Sequence, residues 1–274
     1  MTYENETMKM HQPRHGWLKA VLPPAFTVVA VVAIWQAAVG FGWANGETLA
    51  SPADIALSLG QTWRDLASAT AVTALETVTG FLISIVVGVA LGIGLYASKA
   101  MHRSIYPLLV AAQTIPIITI APLFMIWFGF NMTGKIVLVT VFSVFSIAVE
   151  TSRGLSAVPD FYEAVALTCG AGRVWTLFHV KLRVAARQVF SGIRISAAYV
   201  VGTAVTAEYL GATNGLGVWL QNAFNSFQTP MIFSATLVIV AMTGMLLGLV
   251  ALAERLLLGP GGEDDARNLD ESEN

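Results

Sequence analysis

Three carboxylates stand in or at the ends of long apolar runs, Glu76, Glu150 and Glu208, and they have the most chemistry to offer. A charge at the centre of a membrane helix costs about 2.5 to 3.5 kcal/mol on insertion scales, so such residues turn to a cavity, a partner or water. For Glu76 and Glu208 two readings stand. Either they lie near the outer interface, reach solvent and pair locally, or they border a translocation path. Glu150, three residues before Arg153, is expected to form a local ion pair. Gly129 to Lys135 reads GFNMTGK, the first seven positions of a phosphate loop. The next residue is Ile136, where magnesium needs Ser or Thr, and an apolar run precedes it instead of a strand, so the phosphate-loop reading is rejected. His11, His15, His102 and His179 are too scattered for a metal site, and no Ser/His/Asp grouping stands out. A single cysteine, Cys169, excludes an internal disulfide and a cysteine-based cluster.

Pro116 and Pro122 each remove a helical hydrogen bond inside an apolar run, and broken helices in membranes line cavities or pack on protein. Gln113, Thr114 and Thr119 around them are therefore expected, with Pro116, to line a path through the membrane. Glu76 and Glu208 are candidates for the same path.

The elements that must position these residues follow from the charge distribution. Only 12% of the 274 residues are charged, against about 25% in a soluble domain, and the net charge of -2 gives no reason to expect a nucleic-acid partner. Six apolar segments are long enough to cross a bilayer as helices: about 21–42, 71–98, 105–129, 134–152, 190–210 and 231–256. The expected fold is an all-α polytopic membrane protein with six transmembrane helices. With the N-terminus inside, thirteen of the fifteen Lys and Arg fall on the cytoplasmic side, leaving Arg64 and Lys135 outside. Both termini are then cytoplasmic. The first span lacks a small-residue cleavage site and is expected to stay as an anchor. Residues 1–20 form a cytoplasmic segment, 21–258 the membrane domain, and 259–274 an acidic disordered tail. Gly88, Gly92 and Gly94 make a small-residue face suited to close helix packing within the chain.

Two inter-span segments stand out. Residues 45–69 are amphipathic and outside, with Ser51 as helix cap and Pro52 in the first turn; they read as a helix lying on the membrane or as a contact for an external partner. The cytoplasmic loop at about 154–189 carries too many charges to span. Pro159 and Asp160 start a short helix there, and Gly170 with Gly172 end it. Such a helix suits either a cytoplasmic partner or the membrane interface.

Glu163-Ala164, then Gly170, then Val180-Lys181-Leu182 and Gly192-Ile193-Arg194 resemble the EAA loop in the permeases of bacterial ABC importers. Gln113-Thr114-Ile115-Pro116 through Ala121-Pro122-Leu123 to Trp127-Phe128-Gly129, and Ala207 to Ala212 with Gly215-Leu216-Gly217, are similar to the sulfonate, taurine, nitrate and thiamine-precursor subfamily. The chain departs from the family in the loop. Ala164 stands where the glutamate is usual, Glu163 is one residue early, and Arg183 and Arg187 replace two prolines. The resemblance implies a type I importer permease in the bacterial inner membrane with no cofactor or catalysis of its own. ATP and magnesium belong to two ATP-binding cassette subunits, which would grip Glu163, Ala164, Gly170, Ala171, Val180 and Leu182. It further implies an external substrate-binding protein, a second permease copy (most simply a homodimer), and a solute such as a sulfonate or taurine, nitrate, a thiamine pyrimidine precursor or a riboflavin-like compound. The alternatives from other classes are a self-sufficient ion-coupled carrier using Glu76, Glu150 or Glu208, and a membrane scaffold.

Overall fold

The computed structural model describes residues 16–43 and 48–259. Most of the expected N-terminal segment and nearly all of the acidic tail lie outside the described residues. Every regular element among the described residues is helical. The first described helix is α1 (Gly16–Gly40).

The second helix, α2 (Pro52–Ala97), runs unbroken for 46 residues. Ser51 starts it as expected: its hydroxyl accepts from the Asp54 N–H at 3.1 Å, and Pro52 occupies the first turn, where no amide is needed. At 1.5 Å per residue the helix is about 69 Å long, more than twice the hydrocarbon core. The amphipathic segment, read as a helix lying on the membrane or as a contact for an external partner, is continuous with a helix long enough to span, because nothing between 52 and 97 breaks it.

Two short helices, α3 (Lys99–Ser104) and α4 (Tyr106–Ala112), lead to α5 (Ile117–Phe128). The axis bends by 107° between the 99–112 pair and α5. The third span, where Pro116 and Pro122 each remove a helical hydrogen bond, is broken at Gln113–Pro116 and not at Pro122. Pro116 has extended backbone angles and cannot continue α4, whereas Pro122 stays inside α5.

Asn131 caps α6 (Met132–Ala157), its side-chain oxygen accepting from the Thr133 and Gly134 amides at 3.1 and 3.4 Å. That cap is the structural use of GFNMTGK. The loop beyond α6 holds α7 (Asp160–Thr168), α8 (Arg173–Thr176), one π-helical turn (Leu177–Lys181) and α9 (Leu182–Val184). The described residues end in α10 (Ala186–Gly211), α11 (Leu216–Asn225) and α12 (Thr229–Leu258). The helices α2, α6, α10 and α12 are each long and apolar enough to cross a membrane, and the bent pair makes a fifth crossing if it is one span.

The bundle is centred on α6, which packs on α2 and α10. Lipid is as apolar as leucine, so close packing and hydrogen bonds hold membrane helices together. Glycines supply the approach. A Cβ on Gly88 would sit 2.7 Å from Cβ of Ile147, and one on Gly92 would meet Thr151 and the Ala148 carbonyl. Gly94, expected on the same face, instead points at the flexible end of Met101. Hydroxyls bridge the helices as well: Thr140 donates to the Gly80 carbonyl at 3.2 Å and Ser196 to the Ser143 carbonyl at 2.9 Å.

Candidate functional site

Three clusters hold the residues singled out by sequence. At one end of the bundle, Pro159 and Asp160 start α7, and Gly170, at φ +86°, ends it in a conformation that side chains disfavour. The helix keeps its apolar residues outside, with Phe161 70% exposed and Tyr162 and Val165 exposed too, and Val174 and Trp175 of α8 are exposed beside them. Between α7 and α8 lies a concavity of about 850 Å³, lined by Tyr162, Val165, Gly170, Ala171, Trp175 and Val180 among others. The structure therefore brings Gly170, Ala171 and Val180 together. Ala164 sits on the exposed face beside them, while Leu182 packs toward the core.

Glu163 turns back from this surface and forms an ion pair with Lys181, which also donates to the Tyr96 hydroxyl near the C-terminal end of α2. Burial works against the Lys181 ammonium, but its bonds to Glu163 and Tyr96 outweigh burial and raise its pKa above the ordinary 10.5. A lysine raised in this way contributes its stability fully below the ordinary value and loses it only as pH rises through the folded value. The tether is therefore intact throughout the neutral range. The partners Lys181 and Tyr96 were missed in the sequence, where only the opposite signs of Glu163 and Lys181 hinted at them.

The second cluster surrounds the break in the third span. Gln113, Thr114 and Pro116 line a concavity of about 370 Å³ with Phe142, Ser146, Ile195 and Tyr199. Thr119 is exposed on α5, one turn beyond, and does not line it. Ser146 donates to the Gln113 side-chain oxygen at 3.3 Å and lies 2.9 Å from the Tyr199 hydroxyl, which donates to the Phe142 carbonyl at 3.2 Å. Ser146 and Tyr199 were not predicted, being single polar residues in spans whose facing direction the sequence leaves open.

The third cluster corrects the expectation that Glu76 and Glu208 reach solvent. Both are fully buried, and so is Thr73. Lys135, expected to be an outside loop charge, is only 4% exposed and is ion-paired with Glu76. Glu208 accepts from the Thr73 hydroxyl and from the Gly217 N–H, each at 2.7 Å, while Thr73 accepts from the Leu216 N–H at 2.9 Å. The turn at Gly215, φ +122°, lies so close to the Glu208 carboxylate that no side chain fits there. Glu208 thus holds the start of α11 against α2. Glu150 pairs with Arg153 at 3.2 Å, as expected, and also takes a bond from Gln188. Among the described residues no group of three or more His, Cys, Asp or Glu is placed to hold a metal.

Residues 80–259 match the family model described as the binding-protein-dependent transport system inner membrane component. The chain belongs to this family. It is the membrane-spanning permease subunit of an importer, a multi-pass protein of the bacterial plasma membrane whose family works with ATP-binding and substrate-binding proteins. All three clusters meet the matched region, though Thr73 and Glu76 precede it. This permease is 33% identical over 167 residues to the formylaminopyrimidine transport permease protein ThiX of Halalkalibacterium halodurans, an alignment covering 61% of this chain and 66% of that one. It is 30% identical over 253 residues to the putative aliphatic sulfonates transport permease protein SsuC of Bacillus subtilis, covering 91% and 90%. Among solved structures, an inward-facing form of the MetNI methionine ABC transporter superposes with a TM-score of 0.63 at 18% identity, covering 72% of this permease and 97% of that chain, a likeness of fold.

Proposed function

We propose that this permease works as a pair of identical copies with two ATP-binding cassette subunits, which hold ATP and magnesium, and that it has no catalytic role itself. Six spans cross the membrane, with both termini in the cytoplasm. The observation that carries this reading is the exposed apolar concavity between α7 and α8, tethered through Glu163, Lys181 and Tyr96 to the inner end of α2. Exposed Phe161 and Trp175 are costly in water and suit a partner's groove. Closure of the ATP-binding subunits moves α7, the tether passes that motion to α2, and the bundle switches between outward and inward access. The solute, delivered by an external binding protein, passes beside the break at Gln113, Thr114 and Pro116, with Thr119 further along. Glu76 and Glu208 bound the path as its outer seal. The names of the relatives point to an aminopyrimidine or an aliphatic sulfonate as the solute class.

The test is a gentle detergent purification of the tagged permease from its native host, with mass spectrometry and ATPase measurement of what accompanies it. A co-purified nucleotide-binding subunit, whose hydrolysis rises with an added binding protein, is expected. In the same preparation Ala164→Arg should release that subunit while the permease stays folded. A permease that arrives alone and without ATPase, under conditions that preserve related complexes, would overturn the proposal.

A further inference from the structure

The concavity at the break carries a consequence for what passes through it. Ser146 and Tyr199 lie near the middle of α6 and α10, each a 26-residue helix, so the site sits close to the midplane of the bilayer. Its polar groups are a carboxamide, two aliphatic hydroxyls and a phenol, and none of its lining residues is charged. The charges flanking it along the two helices are engaged elsewhere. Glu150, one turn further along α6, is held by Arg153 and Gln188, and Arg194 on α10 is paired with Glu254 on α12. Lys135 and Glu208 are locked in the buried outer cluster.

Within the site the bonds are partly spent. Gln113 uses its carbonyl oxygen on Ser146, and Thr114 donates to the Ala111 carbonyl at 2.7 Å. Among the described residues the Gln113 NH2 has no hydrogen-bond partner, and the Thr114 hydroxyl keeps acceptor capacity. Such a site offers a solute both a donor and an acceptor but no countercharge. An anion at this depth gives up hydration for neutral dipoles, and a charge without a partner is costly there.

We infer that Gln113, Thr114, Ser146 and Tyr199 form a midplane recognition site for a small uncharged solute bearing both hydrogen-bond donors and acceptors, and that it discriminates against anions. The inference rests on the proposed path beside the break and assigns that path its solute class.

The test uses thiol access in the assembled importer. In a Cys169→Ser background, Thr114→Cys is reacted with neutral methyl methanethiosulfonate and with anionic sulfonatoethyl methanethiosulfonate, each rate being divided by its rate with free glutathione. The neutral reagent is expected to be favoured by about tenfold or more, and its reaction should block binding-protein-stimulated ATP hydrolysis. Adding Gln113→Arg should restore the anionic reagent's rate. Equal normalised rates in the single variant would overturn the solute class. A thiol that neither reagent reaches, or whose modification leaves hydrolysis unchanged, would instead overturn the path itself. Ile195→Cys, on the facing helix, gives the same readout if Thr114→Cys assembles poorly.

Discussion

Lys135 and Glu76 neutralise each other in a place almost without water, so removing one partner is worse than removing both. Lys135→Met strands a buried carboxylate and should cost about 3 to 5 kcal/mol. The double variant Lys135→Met with Glu76→Leu should recover most of that loss, as read by the Tm of the detergent-solubilised permease. A double variant no better than the single one would show that the pair is not the seal described. Thr73→Val keeps shape but removes the hydroxyl that joins Glu208 to the Leu216 amide. It should cost about 1 to 3 kcal/mol, since two buried polar groups lose a partner. An unchanged Tm would mean that the start of α11 is held by other contacts.

Among the elements, the α2–α6 contact depends on closeness, and closeness depends on which glycines face α6. Gly92→Ala places a methyl group against Thr151 and the Ala148 backbone, where neither can withdraw cheaply. A loss of about 1 to 3 kcal/mol is expected from overpacking. Gly94→Ala meets only the end of Met101, and Gly202→Ala meets nothing within 4 Å. These two should match or exceed the parent in Tm, because alanine favours a helix by about 1 kcal/mol over glycine. If all three variants behaved alike, the seam would not run along Gly88 and Gly92. The broken third span follows a different rule, since it is set by Pro116 and not by packing.

Across the whole molecule, α2 links the two ends that matter. Its C-terminal end carries Tyr96, bound to Lys181 of the loop between α6 and α10, and its middle carries Thr73 and Glu76 in the buried cluster. The 23 residues from Thr73 to Tyr96 span about 35 Å of continuous helix, a rigid connection from one face of the membrane toward the other. Lys181→Met cuts the link between loop and helix while leaving the exposed face of α7 in place. The expected outcome is a complex that assembles and hydrolyses ATP at near its former rate while substrate uptake falls several-fold. Proportional loss of hydrolysis and uptake would show that the tether serves assembly and not coupling.

Legible in the sequence were the helical membrane fold, the long apolar helices at α2, α6, α10 and α12, the helix start at Ser51 and the short helix between Pro159 and Gly170. Each of these depends on local composition: charge-free length, a capping side chain, a glycine or proline that breaks a helix. The same local patterns also carried the resemblance to the permease family. Where the isolated polar residues went depends on the packing of the helices. Glu76 and Glu150 look alike as single acids in apolar runs, yet one is sealed against Lys135 and the other sits near the rim with Arg153 and Gln188. Arg153 is a neighbour on the same helix, but Lys135 and Gln188 come from other helices, tens of residues away. The same holds for Ser146 and Tyr199, which meet Gln113 across three elements, and for Lys181, which finds Glu163 and Tyr96. Helical periodicity says that a side chain faces some neighbour, but packing chooses which, because many rotations of a uniformly apolar helix are nearly equal in lipid until a close contact or a buried hydrogen bond selects one.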